Sequence, residues 1–143
     1  LNFLLETNTV SEPTSFKPET RALAWISSQE LRSLHISVAT IGEIDFGIAR
    51  TKSIRRQSEL QAWRDLLVST TGSRLLPLDL PVLADWGRLR AMAQAAKLPM
   101  PLFDALLAAT AELHGLTLVT RNVKDFRGWD GPILNPWQDA IGV

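Results

Sequence analysis

The sequence predicts an α/β fold, a parallel β-sheet flanked by α-helices on both faces. Two observations predict it. Short apolar runs alternate along the chain with stretches of helical periodicity, as strands joined by helical crossovers do. Polar and acidic residues recur where those runs end or where the helices begin, and in a parallel sheet these positions share one edge. Glu6, Glu43, Asp104, Asn122 and Asp125 all occupy such positions. That edge, outside the carboxyl ends of the strands, is where open α/β sheets bind ligands.

The elements follow in order. Leu1–Leu5 is an apolar run that reads as a buried strand, with Glu6, Thr7 and Asn8 at its exit. Thr9–Glu12 begins a helix that Pro13 interrupts, and Thr14–Pro18 is a loop. Glu19–Ser28 is helical, with Leu23 and Ile26 on one side. Leu34–Ala39 alternates and is rich in β-branched residues, so it is a strand. Thr40 followed by Glu43 fits a capping box, opening a helix through Ile44 and Ile48 to about Arg50. A second helix covers Ile54–Ser69, with Leu60, Trp63 and Leu67 on its core stripe. Lys52, Arg55 and Arg56 read as a solvated face of this helical hairpin.

Gly72 stops the hairpin and Leu75–Leu78 is a strand weakened by Pro77. Asp79 caps the next helix, whose apolar stripe is Val82, Trp86, Leu89, Ala93 and Ala96. The stretch Leu98–Phe126 organises the rest. Pro99 and Pro101 suit a helix start, where no backbone donor is needed. Asp104 falls in the first turn, Leu102, Leu106, Ala109 and Leu113 recur at helical spacing, and Ala105, Ala108 and Ala111 allow close packing. Gly115 ends the helix at C′. Leu116–Val119 is a short buried strand, with Thr120, Arg121 and Asn122 beyond it. Pro132–Leu134 is the last strand.

At 143 residues, with 45% apolar content, the chain fits one domain, 1–143, and not a disordered chain. No internal repeat or linker divides it. Fifteen basic residues balance 15 acidic ones, which argues against nucleic-acid binding by bulk positive charge. The absence of cysteine removes disulfides, thiolate chemistry and Cys-based zinc sites. No apolar run approaches a membrane span and no signal peptide is visible, so a cytoplasmic protein without membrane contact is expected.

Carboxylates gathered on one edge repel each other, and a cation relieves that repulsion. Mg²⁺ or Mn²⁺ suits an all-oxygen site, where it can activate water and clamp a phosphodiester. Each acid also has a plainer reading. Glu43 completes the capping box, Asp104 complements a helix macrodipole, and Asp125 fits a turn. Glu6 is harder to explain away, because a charge directly after a buried run is costly unless paired or exposed. His35 and His114 read as structural, and the five tryptophans as core or interface residues.

Five segments carry a family resemblance. They are LLETNTVSE (4–12), SVATIGEIDFGIAR (37–50), RLLPLD (74–79), DALLAATAELHGLTLVTRNVKDF (104–126) and ILNPW (133–137). In this order they resemble the PIN-domain ribonuclease toxins of VapBC-type toxin–antitoxin systems, including the FitB-like branch. The resemblance implies a PIN-like fold and a Mg²⁺- or Mn²⁺-dependent endoribonuclease. It implies homodimers and a VapB-type antitoxin that covers the acidic site, with a larger antitoxin assembly on DNA. Residue by residue, the metal-edge acids become Glu6, Glu43 and Asp104, with Asn122 and Asp125 both candidates for the fourth position. The family's first acid is normally aspartate, in LLDTN; here it is Glu6, one methylene longer.

The leading expectation is therefore a nuclease in which Glu6, Asp104, Glu43 and Asp125 hold metal. Thr7, Asn8 and Asn122 would orient ligands or water, and Arg121, Lys124 and Arg127 would guide RNA. The alternative is a PIN domain weakened by Glu6, acting mainly as an antitoxin- and nucleic-acid-binding module. A structure-specific DNA nuclease is the third reading.

Overall fold

The computed structural model describes residues 1–139. Five strands form one sheet in the order β3-β2-β1-β4-β5, and every neighbouring pair is parallel. The strands are β1 (Phe3–Leu5), β2 (Leu34–Ser37), β3 (Leu75–Leu76), β4 (Thr117–Val119) and β5 (Ile133–Leu134). The helices are α1 (Thr7–Ser11), α2 (Thr20–Ser28), α3 (Val38–Arg50), α4 (Ile54–Thr71), α5 (Leu80–Ala95) and α6 (Leu102–His114). The predicted parallel sheet is present.

Side chains alternate across the central strand, and that alternation divides the core. Leu4 and Leu118 face α5 and α6, packing with Leu107, Ala108, Leu89 and Phe126. Phe3, Leu5 and Val119 face the other way, among Trp25 of α2 and Ile41, Ile44 and Ile48 of α3. Phe3 and Trp25 meet edge to face, with centroids 5.0 Å apart. Helices therefore cover both faces, as expected. The order of strands reverses between β1 and β4, which makes the crevice above their carboxyl ends the topological switch point.

Several boundaries differ from the sequence reading. β2 ends at Ser37, whose side chain accepts from the Ala39 amide and so caps α3 three residues before Thr40. Thr40 is consequently inside the helix, and the Thr40–Glu43 capping box does not form. β3 shrinks to two residues because Pro77 has no amide for the ladder. α1 starts at Thr7 rather than Thr9, because Glu6 caps it. α6 opens at Leu102 behind Pro101, and Gly115 closes it with a left-handed φ of 64°.

α6 packs through the alanines expected to allow close approach, and only part of its periodic stripe is buried. Ala105, Leu107, Ala108, Ala109 and Ala111 are buried, whereas Leu102 is 58% and Leu113 46% exposed. Small side chains let α6 approach α5 and the sheet closely, and that contact outweighs the leucine stripe. On α5, Val82, Leu89 and Ala93 are buried, but Ala96 lies beyond the helix end. On α2 the buried residues are Ala22 and Trp25, with Leu23 and Ile26 only half-buried. Arg56 is not simply solvated: its guanidinium donates to the Thr14 carbonyl and stacks on Phe16 at 4.8 Å.

Candidate active site

Glu6 leaves β1 directly and stands at the N-cap of α1. Its amide donates to the Val119 carbonyl at 2.9 Å, so the pairing of β1 with β4 holds its backbone. Glutamate is an uncommon N-cap; the usual residues have shorter side chains. Here Oε2 accepts from the Asn8 amide at 3.4 Å and from the Thr120 hydroxyl at 3.3 Å. The residue is only 8% exposed. Burial raises its carboxyl from 4.5 to about 7; the Asn8 and Thr120 bonds oppose the rise and Asp104 adds to it.

Asp104 lies in the first turn of α6, half-buried. Burial, together with the charges of Asp125 and Glu43, raises its carboxyl from 3.8 to about 6. Glu43 projects from the second turn of α3 and is exposed. Asp125 sits in the 3-10 turn Val123–Phe126. Four of the sequence-predicted acids thus meet electrostatically above the switch point.

Asn122 contributes differently. Its amide donates to the Thr120 hydroxyl at 3.0 Å and its carbonyl accepts from the Asp125 amide at 3.0 Å. It shapes the turn through its backbone while its side chain is exposed. Of the two candidates for the fourth position, Asp125 is the one whose charge reaches Asp104. Arg121, Lys124 and Arg127 are exposed on the same segment, Arg121 lying over Trp137 at 5.6 Å. His35 is half-buried in β2, with Nδ1 3.3 Å from the Ser33 carbonyl, and His114 is exposed at the end of α6.

Thr120 is the residue that sequence reasoning passed over. It is fully buried, and its one hydroxyl donates to Glu6 while accepting from Asn122. It therefore ties the exit of β4 to the acid after β1. The only signal in the sequence was its place directly after a buried strand.

The donors on this edge are oxygens throughout, which suits a hard divalent cation. No arginine or lysine neutralises the four acids among the described residues; the ion pairs lie elsewhere. Asp85 and Glu112 show the contrast, sharing Arg88 at 2.7 and 2.6 Å. Among the described residues no three acids or histidines stand close enough to hold one ion between them. Glu6, Glu43 and Asp125 are each within electrostatic reach of Asp104, but the four carboxylates do not form a shared ligand shell.

Comparison with known proteins bears on this edge. The PIN domain family matches residues 3–130. Toxin FitB of Neisseria gonorrhoeae is 32% identical over 95% of this chain and 99% of its own length. A VapC ribonuclease of Sinorhizobium fredii is 31% identical over 96% of this chain and 99% of its own. The solved structure of FitAB bound to a DNA fragment superposes with a TM-score of 0.90, at 30% identity, covering 97% of this chain and 98% of that one. The chain belongs to the PIN-domain family, in its VapC/FitB toxin branch.

Proposed function

We propose that this protein is a Mg²⁺- or Mn²⁺-dependent endoribonuclease, the toxin of a toxin–antitoxin pair. The observation that carries the reading is Asp104. Its carboxyl is raised toward 6 by burial and by two further acids, with no basic side chain to relieve them. Such an arrangement is unfavourable in isolation and suits a divalent cation. When bound, the cation would activate a water for attack on phosphorus and stabilise the charge that develops.

The residues divide the work. Glu6 and Asp104 hold the cation, and Glu43 and Asp125 complete the acidic set directly or through water. Thr120 fixes the Glu6 carboxylate by donating to Oε2. Thr7, Asn8 and Asn122 orient ligands or water. Arg121, Lys124 and Arg127 line the exit of β4 and guide the RNA backbone. The relative named as a VapC ribonuclease supports an RNA substrate.

An antitoxin of VapB type would place a basic side chain among the acids, which attract arginine as readily as metal. The FitAB–DNA structure supports a larger assembly on DNA for the pair. The exposed Leu102 and Leu113 support a homodimer, which light scattering at micromolar concentration checks.

Asp104→Asn tests the main reading. The amide keeps the shape and removes the charge, so metal-dependent RNA cleavage should fall by at least about 100-fold with the circular dichroism unchanged. Full cleavage by the variant rejects the assignment. A second reading is favoured by Glu6 itself, which acts as a helix cap and is raised to about 7. In that reading the domain binds its antitoxin and nucleic acid but cleaves weakly. Glu6→Asp separates the two: a marked gain in rate and in Mg²⁺ affinity supports weakening by Glu6, and equal rates reject it.

A further inference from the structure

A cleft of about 290 Å³ opens next to the acidic edge, lined by α1, α3 and α4. Its apolar lining is Ile44, Ile48, Leu60 and the half-buried ring of Trp63. Its polar lining includes Thr7 and Glu43, which also belong to the acidic edge: Thr7 follows Glu6, and Glu43 raises Asp104. The cleft is therefore continuous with the place where a phosphodiester would sit.

Two further features point to a ligand. The Thr7 hydroxyl is buried and has no hydrogen-bond partner. An unpaired buried hydroxyl is costly, and a turn of the Thr7 side chain toward the cleft it lines would let a bound polar edge satisfy it. Gly47 also lines the cleft, and a Cβ built there meets nothing within 4 Å. Packing does not demand glycine at this position, and glycine weakens a helix interior. What glycine does provide here is open space.

We propose that this cleft is a nucleobase subsite. It takes one base of the RNA strand whose backbone passes the four acids, and it stacks that base on Trp63. The inference rests on the ribonuclease reading above. A nucleobase has flat apolar faces and a polar edge, matching an aromatic wall beside hydroxyls. The Ser11 and Thr14 hydroxyls spend their protons on the carbonyls of Thr7 and Ser11, at 2.8 and 2.7 Å. They meet a ligand as acceptors, as does Glu43. The subsite therefore favours a base with an exocyclic amino group, adenine, cytosine or guanine, over uracil.

The test uses short single-stranded RNAs with Mn²⁺, identical except for one abasic nucleotide moved through every position. The wild type, Trp63→Ala and Gly47→Leu are compared by kcat/KM. Gly47→Leu places its Cβ where nothing lies within 4 Å and adds bulk to the cleft, so it covers the case in which Trp63→Ala fails to fold. In the wild type one abasic position should lower kcat/KM by about tenfold, the scale of one base stack. Gly47→Leu should lose a similar factor on intact RNA and show no penalty at that position. Uracil there should be cleaved more slowly than cytosine. The absence of a position-specific penalty in the wild type, or its persistence in Gly47→Leu, overturns the proposal. Unchanged cleavage of every RNA by Gly47→Leu would assign the cleft to a protein partner instead and also overturns it. A wild type that cleaves no RNA with either metal removes the ribonuclease reading itself.

Discussion

Glu6 concentrates the site's chemistry in one side chain. It caps α1, receives the Thr120 hydroxyl, and is buried enough to hold its proton to about pH 7. A carboxyl raised in the folded state stabilises the fold while protonated. That contribution is complete below the ordinary value of 4.5 and is lost as pH rises through about 7. Asp104 adds a loss in the same direction between 3.8 and about 6. Without divalent cations the melting temperature should therefore fall from pH 5 to pH 7.5, with Glu6 worth at most about 3 kcal/mol. Glu6→Gln, neutral throughout, should flatten much of that fall. A profile that is flat in the wild type, or equally steep in Glu6→Gln, contradicts the assignment. The sequence made Glu6 conspicuous, since a charge follows a buried run. It could not reveal Thr120 as its partner, because the bond spans 114 positions and a lone threonine carries no pattern.

Among the elements, α3 shows how a local pattern misleads. Thr40 and Glu43 have the capping-box spacing, but Ser37 supplies the cap and Thr40 is buried one turn further on, its hydroxyl unpaired. Both Ser37 and Thr40 can cap; the extent of β2, set by pairing with β1 and β3, decides between them. The consequence is functional, because Glu43 is released from a capping duty and is available to the acidic edge. Ser37→Ala should cost about 1 kcal/mol in denaturant unfolding. Thr40→Val, which removes an unsatisfied hydroxyl from a buried position, should be neutral or stabilising. The reverse ranking would restore the capping box. α6 is a mixed case. Ala105, Ala108 and Ala111 are legible as close-packing positions and are buried, whereas Leu102 and Leu113 of the periodic stripe stay exposed, because periodicity alone does not weigh side-chain size against helix separation.

Across the whole molecule, the parallel order and the two-sided core were legible because alternation between strand and helix leaves few topologies. The chain's net charge is zero, so no overall field draws RNA to it. In the proposed ribonuclease reading, RNA binding relies on local features around the switch point between β1 and β4, near Glu6, Glu43, Asp104 and Asp125. No helix of the described residues is long and apolar enough to cross a membrane. The sequence could name the acids but not their convergence, since they come from four segments that only the sheet order brings together.

The central claim is that this convergence binds a divalent cation, and anomalous diffraction from a crystal soaked in Mn²⁺ tests it most directly. The account predicts one strong peak shared by the carboxylates of Glu6 and Asp104, with Glu43 and Asp125 turned toward it. A soaked crystal with no peak at these acids, or with manganese bound only at Asp85 and Glu112, would contradict it.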